Sequence, residues 1–133
     1  MKLTPEQRLQ LVRQANQVRQ NAYAPYSGYA VGAAVLTADG RIFTGVNVEN
    51  ASYPNGVCAE RVAIYKAVSE GAREFLAIAV VSENGATPCG FCRQVIAEFG
   101  LHTLILIADA RENILMEETI ASLLPHVFRY PHP

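Results

Sequence analysis

Two short runs of apolar residues constrain the fold of this chain more than any other feature. They cover residues 75–82 and 103–108, and each has a polar residue only at one end. A strand that is apolar on both faces lies in a sheet that is covered on both sides, because neither face can be left to water. We therefore expect two buried strands inside a sheet that packs between helices.

The segments around these runs alternate between helical and strand patterns. Thr4-Pro5-Glu6-Gln7 is typical of a helix start with a capping box, and this helix is expected to end before Pro25. Asp39-Gly40 indicates a hairpin turn between two strands. The hairpin strands are predicted at 31–37 and 41–49, further helices at 58–71, 89–99 and 119–124, and a short strand at 114–116.

This order of elements predicts an α/β fold in a single domain over residues 1–133, with a mixed sheet and helices on both of its faces. Along the strand predicted at 41–49, alternation places Asn47 and Glu49 on the same face. Such a polar pair is either a binding surface or a solvated face, and the pattern alone does not decide between them.

Charge limits the classes of partner that suit this chain. The net charge is −1, only 17% of the residues are charged and no basic run is present, whereas proteins that hold a nucleic-acid backbone carry a basic surface. We therefore expect a small substrate of low charge and no nucleic-acid partner.

No segment resembles a signal peptide or a membrane span, and an odd number of cysteines does not indicate a disulfide framework. A cytoplasmic location without a membrane partner is expected.

The three cysteines of the chain, Cys58, Cys89 and Cys92, all fall at predicted helix starts. Free backbone amides and the helix dipole favour the thiolate there. Two helices on one side of the sheet can bring Cys58 to the other two. Three protein ligands are too few for a structural zinc site but suit a catalytic one. Glu60, two residues after Cys58, can then transfer protons for the metal's water.

Other interpretations of these residues stay open at this point. A C-x-x-C pair alone also fits a redox pair or half of a structural zinc site. Glu60 alone could be an ordinary acidic residue in the first turn of a helix. A catalytic metal site is favoured because a redox pair leaves Cys58 unexplained. Arg61 lies three residues after Cys58 and Arg93 directly follows Cys92, and we expect them to offset the thiolate charge.

Several strings of the chain resemble the zinc-dependent cytidine deaminases of the small-subunit, three-cysteine type. The zinc-site strings are Cys58-Ala59-Glu60-Arg61 and Pro88-Cys89-Gly90-Phe91-Cys92-Arg93-Gln94, which match a ligand-x-Glu string followed by Pro-Cys-x-x-Cys. The other matching blocks are Ala24-Pro25-Tyr26-Ser27, Val31-Gly32-Ala33-Ala34, Gly45-Val46-Asn47-Val48-Glu49-Asn50-Ala51-Ser52-Tyr53, and Leu123-Leu124-Pro125 with Phe128. They occur in the family's order.

The resemblance implies a three-layer α/β/α sandwich with a mixed five-stranded sheet and one Zn²⁺ per subunit, held by Cys58, Cys89 and Cys92. It also implies deamination of cytidine and 2′-deoxycytidine, in which a zinc-bound hydroxide attacks C4 and Glu60 shuttles protons. It further implies that Asn47 and Glu49 bind the ribose, that the Ala59 backbone contacts the amine side of the base, and that Tyr29 and Phe128 pack on the base or the sugar. Tyr53 would lie at a subunit interface near the substrate. Arg61 would donate a hydrogen bond to the ligand thiolates.

The resemblance further implies a homotetramer in which neighbouring subunits complete each site, with Phe128 reaching a neighbour's pocket. Tyr29 stands where the family usually has phenylalanine, and Phe91 where a smaller residue is common. The alternatives are a blasticidin-S-type deaminase of the same superfamily, which shares the zinc strings, and a non-catalytic zinc-stabilised assembly module. A nucleic-acid editing deaminase fits less well because no basic surface is expected.

Overall fold

Five strands form one mixed sheet at the centre of the structure. The computed structural model describes residues 3–131, so both ends of the predicted 1–133 domain, residues 1–2 and 132–133, lie outside the described part. The strands are β1 (Gly32–Thr37), β2 (Ile42–Val46), β3 (Phe75–Val81), β4 (Leu104–Ala108) and β5 (Ile114–Thr119). Their order across the sheet is β2-β1-β3-β4-β5.

The two strands predicted from the apolar runs, β3 and β4, lie side by side and run parallel, while the other neighbouring pairs are antiparallel. Parallel neighbours need a crossover connection, and α3 (Gly90–Glu98) lies between these two strands in the chain. Both strands are buried over nearly their whole length, which confirms the prediction that they are covered on both faces.

Helices cover both faces of the sheet. The first helix, α1 (Pro5–Val18), begins after Thr4, whose side chain forms the predicted capping box with Gln7. It packs on one face, while α2 (Ala59–Ser69), α3 and α4 (Ile120–Leu123) pack on the other. The predicted three-layer α/β/α arrangement with a mixed five-stranded sheet is therefore confirmed. Among residues 3–131, no helix combines the length and the apolar character needed to cross a membrane.

Gly45 on β2 allows α2 to lie unusually close to the sheet. A β-carbon at this position would lie 2.5 Å from the amide nitrogen of Ala63 and 2.6 Å from the carbonyl oxygen of Ala59. Only glycine leaves room for the helix backbone at that distance. The first turns of α2 are therefore set directly by the sheet beneath them.

Two predicted strand boundaries were wrong. β2 ends at Val46 rather than at residue 49 because its partner β1 begins at Gly32, which pairs with Val46. Beyond that point Val48 makes isolated bridges to Tyr23 and Val57. The alternation argument for Asn47 and Glu49 therefore does not hold, since neither residue is in a strand. β5 is longer than predicted and extends to Thr119.

Candidate metal centre and substrate pocket

The three thiols converge where α2 and α3 begin. Cys58 is the N-cap of α2, Cys89 is the N-cap of α3, and Cys92 lies in the first turn of α3. The sulfur of Cys89 lies 3.7 Å from that of Cys58 and 3.4 Å from that of Cys92. All three sulfurs lie within 4.8 Å of one another, so the expectation that Cys58 meets the other two is confirmed.

The electrostatics of the cluster favour a cation. A hydrogen bond from Cys92 and the guanidinium of Arg61 lower the pKa of the Cys58 thiol to about 5. The same hydrogen bond, together with burial, raises the pKa of Cys92 above its usual range. The lowered pKa of Cys58 favours its thiolate, which is the form in which a cysteine binds a metal.

Arg61 and Arg93 make different contacts, although both follow cysteines. The Nη2 atom of Arg61 donates to the Cys58 sulfur at 3.6 Å, as the resemblance implies. Arg93 instead donates to the carbonyl oxygens of Pro88 and Leu123, each at 2.8 Å, and to the Thr87 hydroxyl. Its guanidinium therefore fixes the segment before Cys89, a use that sequence reasoning did not anticipate.

Glu60 is a buried carboxyl beside this cluster. Its side chain lies in the first turn of α2 and the residue is only 4% exposed. Burial raises its pKa to about 7, and the negative charge of Cys58 adds to that effect. A first-turn acid with no role beyond the helix would be solvated, so burial distinguishes Glu60 from that alternative. A carboxyl with a pKa near neutrality can both accept and donate a proton.

A cavity of about 350 Å³ opens in front of the thiols and Glu60. Its size suits a small molecule. It brings together most of the residues that the sequence singled out, namely Tyr29, Asn47, Glu49, Cys58, Ala59, Glu60, Arg61 and Cys89. The structure therefore places these residues around one space, while their roles stay predictions.

Asn47 and Glu49 reach the cavity from an irregular segment and also hold a neighbouring loop. The Asn47 side chain accepts from the Val31 amide at 2.9 Å and donates to the Tyr29 carbonyl at 2.8 Å. Glu49 accepts from the Tyr26 and Ser27 amides and from the Ser27 hydroxyl. The bonds from Ser27 lower the pKa of Glu49. Both residues are thus fixed in place before any ligand binds.

Tyr53 and Phe128 lie outside this cavity. Tyr53 is 79% exposed and packs edge-on against Tyr26 with ring centroids 6.4 Å apart. Phe128 is 67% exposed, and its carbonyl oxygen accepts a hydrogen bond from Gln94 on α3. Neither ring reaches the cavity of its own chain, so their substrate contacts stay predictions that require a neighbouring subunit.

Sequence reasoning missed Asn84, which binds the side chain of a residue that borders the cavity. Its side-chain oxygen accepts a hydrogen bond from the Tyr29 hydroxyl. The segment around it follows the apolar run at 75–82 and precedes the helix predicted at 89–99. Nothing in its local Ser-Glu-Asn-Gly pattern signals a contact with a residue 55 positions earlier.

Comparison with known proteins identifies the family. Residues 5–108 match the family model described as the cytidine and deoxycytidylate deaminase zinc-binding region. The chain belongs to this deaminase family. A cytidine deaminase of Sporosarcina psychrophila is 46% identical over 120 residues, which cover 89% of this chain and 88% of that protein. A cytidine deaminase of Halalkalibacterium halodurans is 46% identical over 124 residues, covering 91% of this chain and 93% of the relative.

A solved deaminase structure has the same fold over nearly the whole chain. The crystal structure of cytidine deaminase from Burkholderia pseudomallei superposes with a TM-score of 0.86 at 41% identity, covering 95% of this chain and 100% of that one. The family resemblance inferred from the sequence blocks is therefore confirmed.

Proposed function

We propose that this chain is a zinc-dependent hydrolase that deaminates cytidine and 2′-deoxycytidine to uridine and 2′-deoxyuridine, with release of ammonia. The observation that carries the proposal is the convergence of three thiols and one buried carboxyl beside a cavity of nucleoside size, which Cys58, Cys89 and Glu60 border. Membership of the deaminase family and the cytidine deaminases at 46% identity support the reaction class and the substrate.

Cys58, Cys89 and Cys92 would hold one zinc ion. Three sulfur ligands at the starts of two helices fit zinc, whose catalytic sites use three protein ligands, and the lowered pKa of Cys58 fits a thiolate ligand. When bound, zinc supplies the Lewis acidity that provides a water-derived nucleophile at neutral pH. Arg61 would stay on the Cys58 sulfur and reduce the negative charge of the ligand set.

Glu60 would move the protons of the reaction. It would take a proton from the attacking water, deliver it to the ring nitrogen of the pyrimidine, and later help the amino group leave as ammonia. Its burial and its raised pKa support this exchange of roles, because the same carboxyl has to act as base and acid in one turnover. The Ala59 backbone, which borders the cavity, would face the amine side of the base.

The sugar would bind at the other end of the cavity. Asn47 and Glu49 border the cavity, and polar groups of this kind suit ribose hydroxyls. Because both side chains already hold the loop over residues 24–31, the sugar would meet a preformed surface. The Tyr29 ring would pack on the base or the sugar.

Exposed aromatic side chains support assembly into a homotetramer. Tyr53, Phe91 and Phe128 are each at least two-thirds exposed, and contact with a neighbouring subunit would remove this apolar surface from water. In the assembly, Tyr53 would lie at a subunit interface and Phe128 would complete the pocket of a neighbour. The free thiols of the site need a reducing compartment, which supports a cytoplasmic location.

Ammonia release by the zinc-loaded protein tests the proposal, with cytidine, 2′-deoxycytidine, cytosine and blasticidin S assayed side by side. We expect turnover of the two nucleosides. Turnover of blasticidin S alone would indicate the alternative, a blasticidin-S-type deaminase. No release from any of the four, with zinc bound, would contradict the enzyme and favour the non-catalytic assembly module.

A pair of glutamine substitutions tests the mechanism. Glu60→Gln keeps the size of the side chain but cannot transfer protons, so kcat is expected to fall by about 100- to 10,000-fold while zinc and fold are retained. Glu6→Gln is the matched control, since Glu6 is also a first-turn helix acid but is exposed on α1. Wild-type turnover in Glu60→Gln would remove Glu60 from the mechanism.

A further inference from the structure

We propose that Tyr29 and Asn84 form a bridge at the edge of the cavity and that both are positioning residues for nucleoside binding. The bridge is the hydrogen bond from the Tyr29 hydroxyl to the side-chain oxygen of Asn84. It joins two loops that are far apart in the chain, residues 24–31 and residues 82–88. The inference depends on the proposed function only for the identity of the bound molecule.

Each of the two loops contributes residues to the lining of the cavity, and we call them its two walls. Tyr29, together with Asn47 and Glu49, borders the wall where the sugar is placed. Ala86 and Thr87 border the other wall, which leads directly to Cys89. Tyr29 borders the cavity and is half-buried, whereas Asn84 is exposed and is not among the lining residues, so the bridge lies at the edge of the cavity.

The first loop is fixed on both sides of Tyr29. The Tyr29 amide donates to the Ser27 hydroxyl at 3.0 Å, and the Tyr29 carbonyl accepts from the Asn47 side chain at 2.8 Å. Ser27 is itself bound to Glu49. The position from which the Tyr29 ring leaves the backbone is therefore determined by residues of the sugar wall.

The second loop is fixed from below. The hydroxyl of Ser82, which is fully buried, accepts from the amides of Gly85 at 3.0 Å and Ala86 at 2.9 Å. Gly85 has a φ of +79°, and a β-carbon there would lie 2.6 Å from a methyl carbon of Leu115 on β5. Asn84 therefore lies at the tip of a turn that is held against the sheet.

These bonds anchor each loop at its base, and the bridge joins the loops away from those anchors, so it holds the distance between them there. A nucleoside has to contact both walls, because its base belongs near the thiols and its sugar near Asn47 and Glu49. Loss of the bridge should therefore weaken binding of the whole molecule more than it slows the chemical step. Glu60 lies on α2 and belongs to neither loop, so proton transfer should be little affected.

Amide hydrogen exchange on the zinc-loaded protein without substrate tests the bridge directly. In Tyr29→Phe the ring remains and only the hydroxyl is lost, and we expect faster exchange at the amides of Gly85 and Ala86 in the other wall. Tyr23→Phe removes a hydroxyl that makes no hydrogen bond among residues 3–131 and serves as the control. Unchanged exchange at Gly85 and Ala86 in Tyr29→Phe would overturn the proposal.

Kinetics and a conservative variant complete the test. Loss of one exposed hydrogen bond in Tyr29→Phe is expected to raise KM for cytidine by about two- to tenfold with kcat nearly unchanged. Asn84→Ala should raise KM by the same factor. Asn84→Asp should keep the wild-type KM, because a carboxylate still accepts the bond. In the double variant Tyr29→Phe/Asn84→Ala, KM should be no higher than in either single variant.

The pattern across these variants decides the outcome. Additive effects in the double variant would show that Tyr29 and Asn84 act separately and would overturn the bridge. If the wild-type protein released no ammonia from cytidine, the proposed function would fail, while the exchange measurements would still decide whether the bridge exists.

Discussion

Gly45→Ala should damage the active site through the fold, because Gly45 sets the distance between β2 and α2. The added β-carbon would lie 2.5 Å from the Ala63 nitrogen, whereas ordinary contacts begin near 3.4 Å. The helix would have to move by about 0.9 Å, the difference between these two distances. The neighbouring atoms are the helix backbone and the β-carbon of Val62, so no flexible side chain can absorb the change.

Both stability and turnover are expected to respond. Overpacking of this kind costs about 1–3 kcal/mol of unfolding free energy. Because α2 begins after Cys58 and carries Glu60 in its first turn, a displacement of this size also moves a proposed ligand and the proposed proton carrier. A misplacement of about 1 Å can lower kcat/KM by about 100-fold.

Urea unfolding and kcat/KM per folded molecule measure the two effects, and zinc transfer to a chelator reports on Cys58. Gly90→Ala is the matched control, since a β-carbon at Gly90 meets nothing within 4 Å. Alanine is the better helix former, so its stability should not fall. Gly45→Ala with wild-type stability would refute the packing argument. Lost stability with wild-type turnover and zinc retention would refute the coupling of β2 to the site.

Three further predictions follow from single contacts. Thr4→Ala removes the helix cap and should lower the free energy of unfolding by about 1 kcal/mol; an unchanged urea midpoint would argue against it. The pKa of Glu49 lies below its ordinary value of 4.5 because of hydrogen bonds from Ser27. The ionised carboxylate therefore stabilises the folded protein above pH 4.5, and this stabilisation is lost as the pH falls through the lowered pKa. Between about pH 7 and 3 the melting temperature of Glu49→Gln should therefore fall less than that of wild type. Equal falls in the two proteins would contradict this prediction. Removal of zinc should lower the melting temperature of wild type but not of Cys89→Ser, because a metal that binds the folded state stabilises it; a full shift in Cys89→Ser would exclude Cys89 as a ligand.

Local signals determined which parts of the fold could be predicted. The apolar runs at β3 and β4, the Thr4 capping box and the Asp39-Gly40 turn depend on neighbouring residues, and the structure contains each of them. The end of β2 depends instead on where β1 begins, which is a tertiary fact. For that reason the strand was extended too far, and alternation was applied to Asn47 and Glu49.

The site divides in the same way. Spacing and helix starts predicted that Cys58, Cys89 and Cys92 would meet, because each lies at an element that the sequence marks clearly. The contact between Tyr29 and Asn84 joins two loops, and no periodicity reports which loops face each other. Family resemblance assigned Tyr53 to a subunit interface near the substrate and Phe128 to a neighbour's pocket. Both lie outside the cavity of their own chain, so these roles stay predictions.

The meeting of two helix starts at the thiols has a consequence for how a newly made chain acquires its metal. Cys89 and Cys92 stay neighbours even in an unfolded chain, whereas Cys58 lies 31 residues before Cys89 and has to be brought to them at the cost of closing a loop. An unfolded chain therefore offers metal ions only a two-thiol partial site. Full affinity arises when the sheet has ordered both helices, so loading should follow folding and a chain with a disordered sheet should release its zinc.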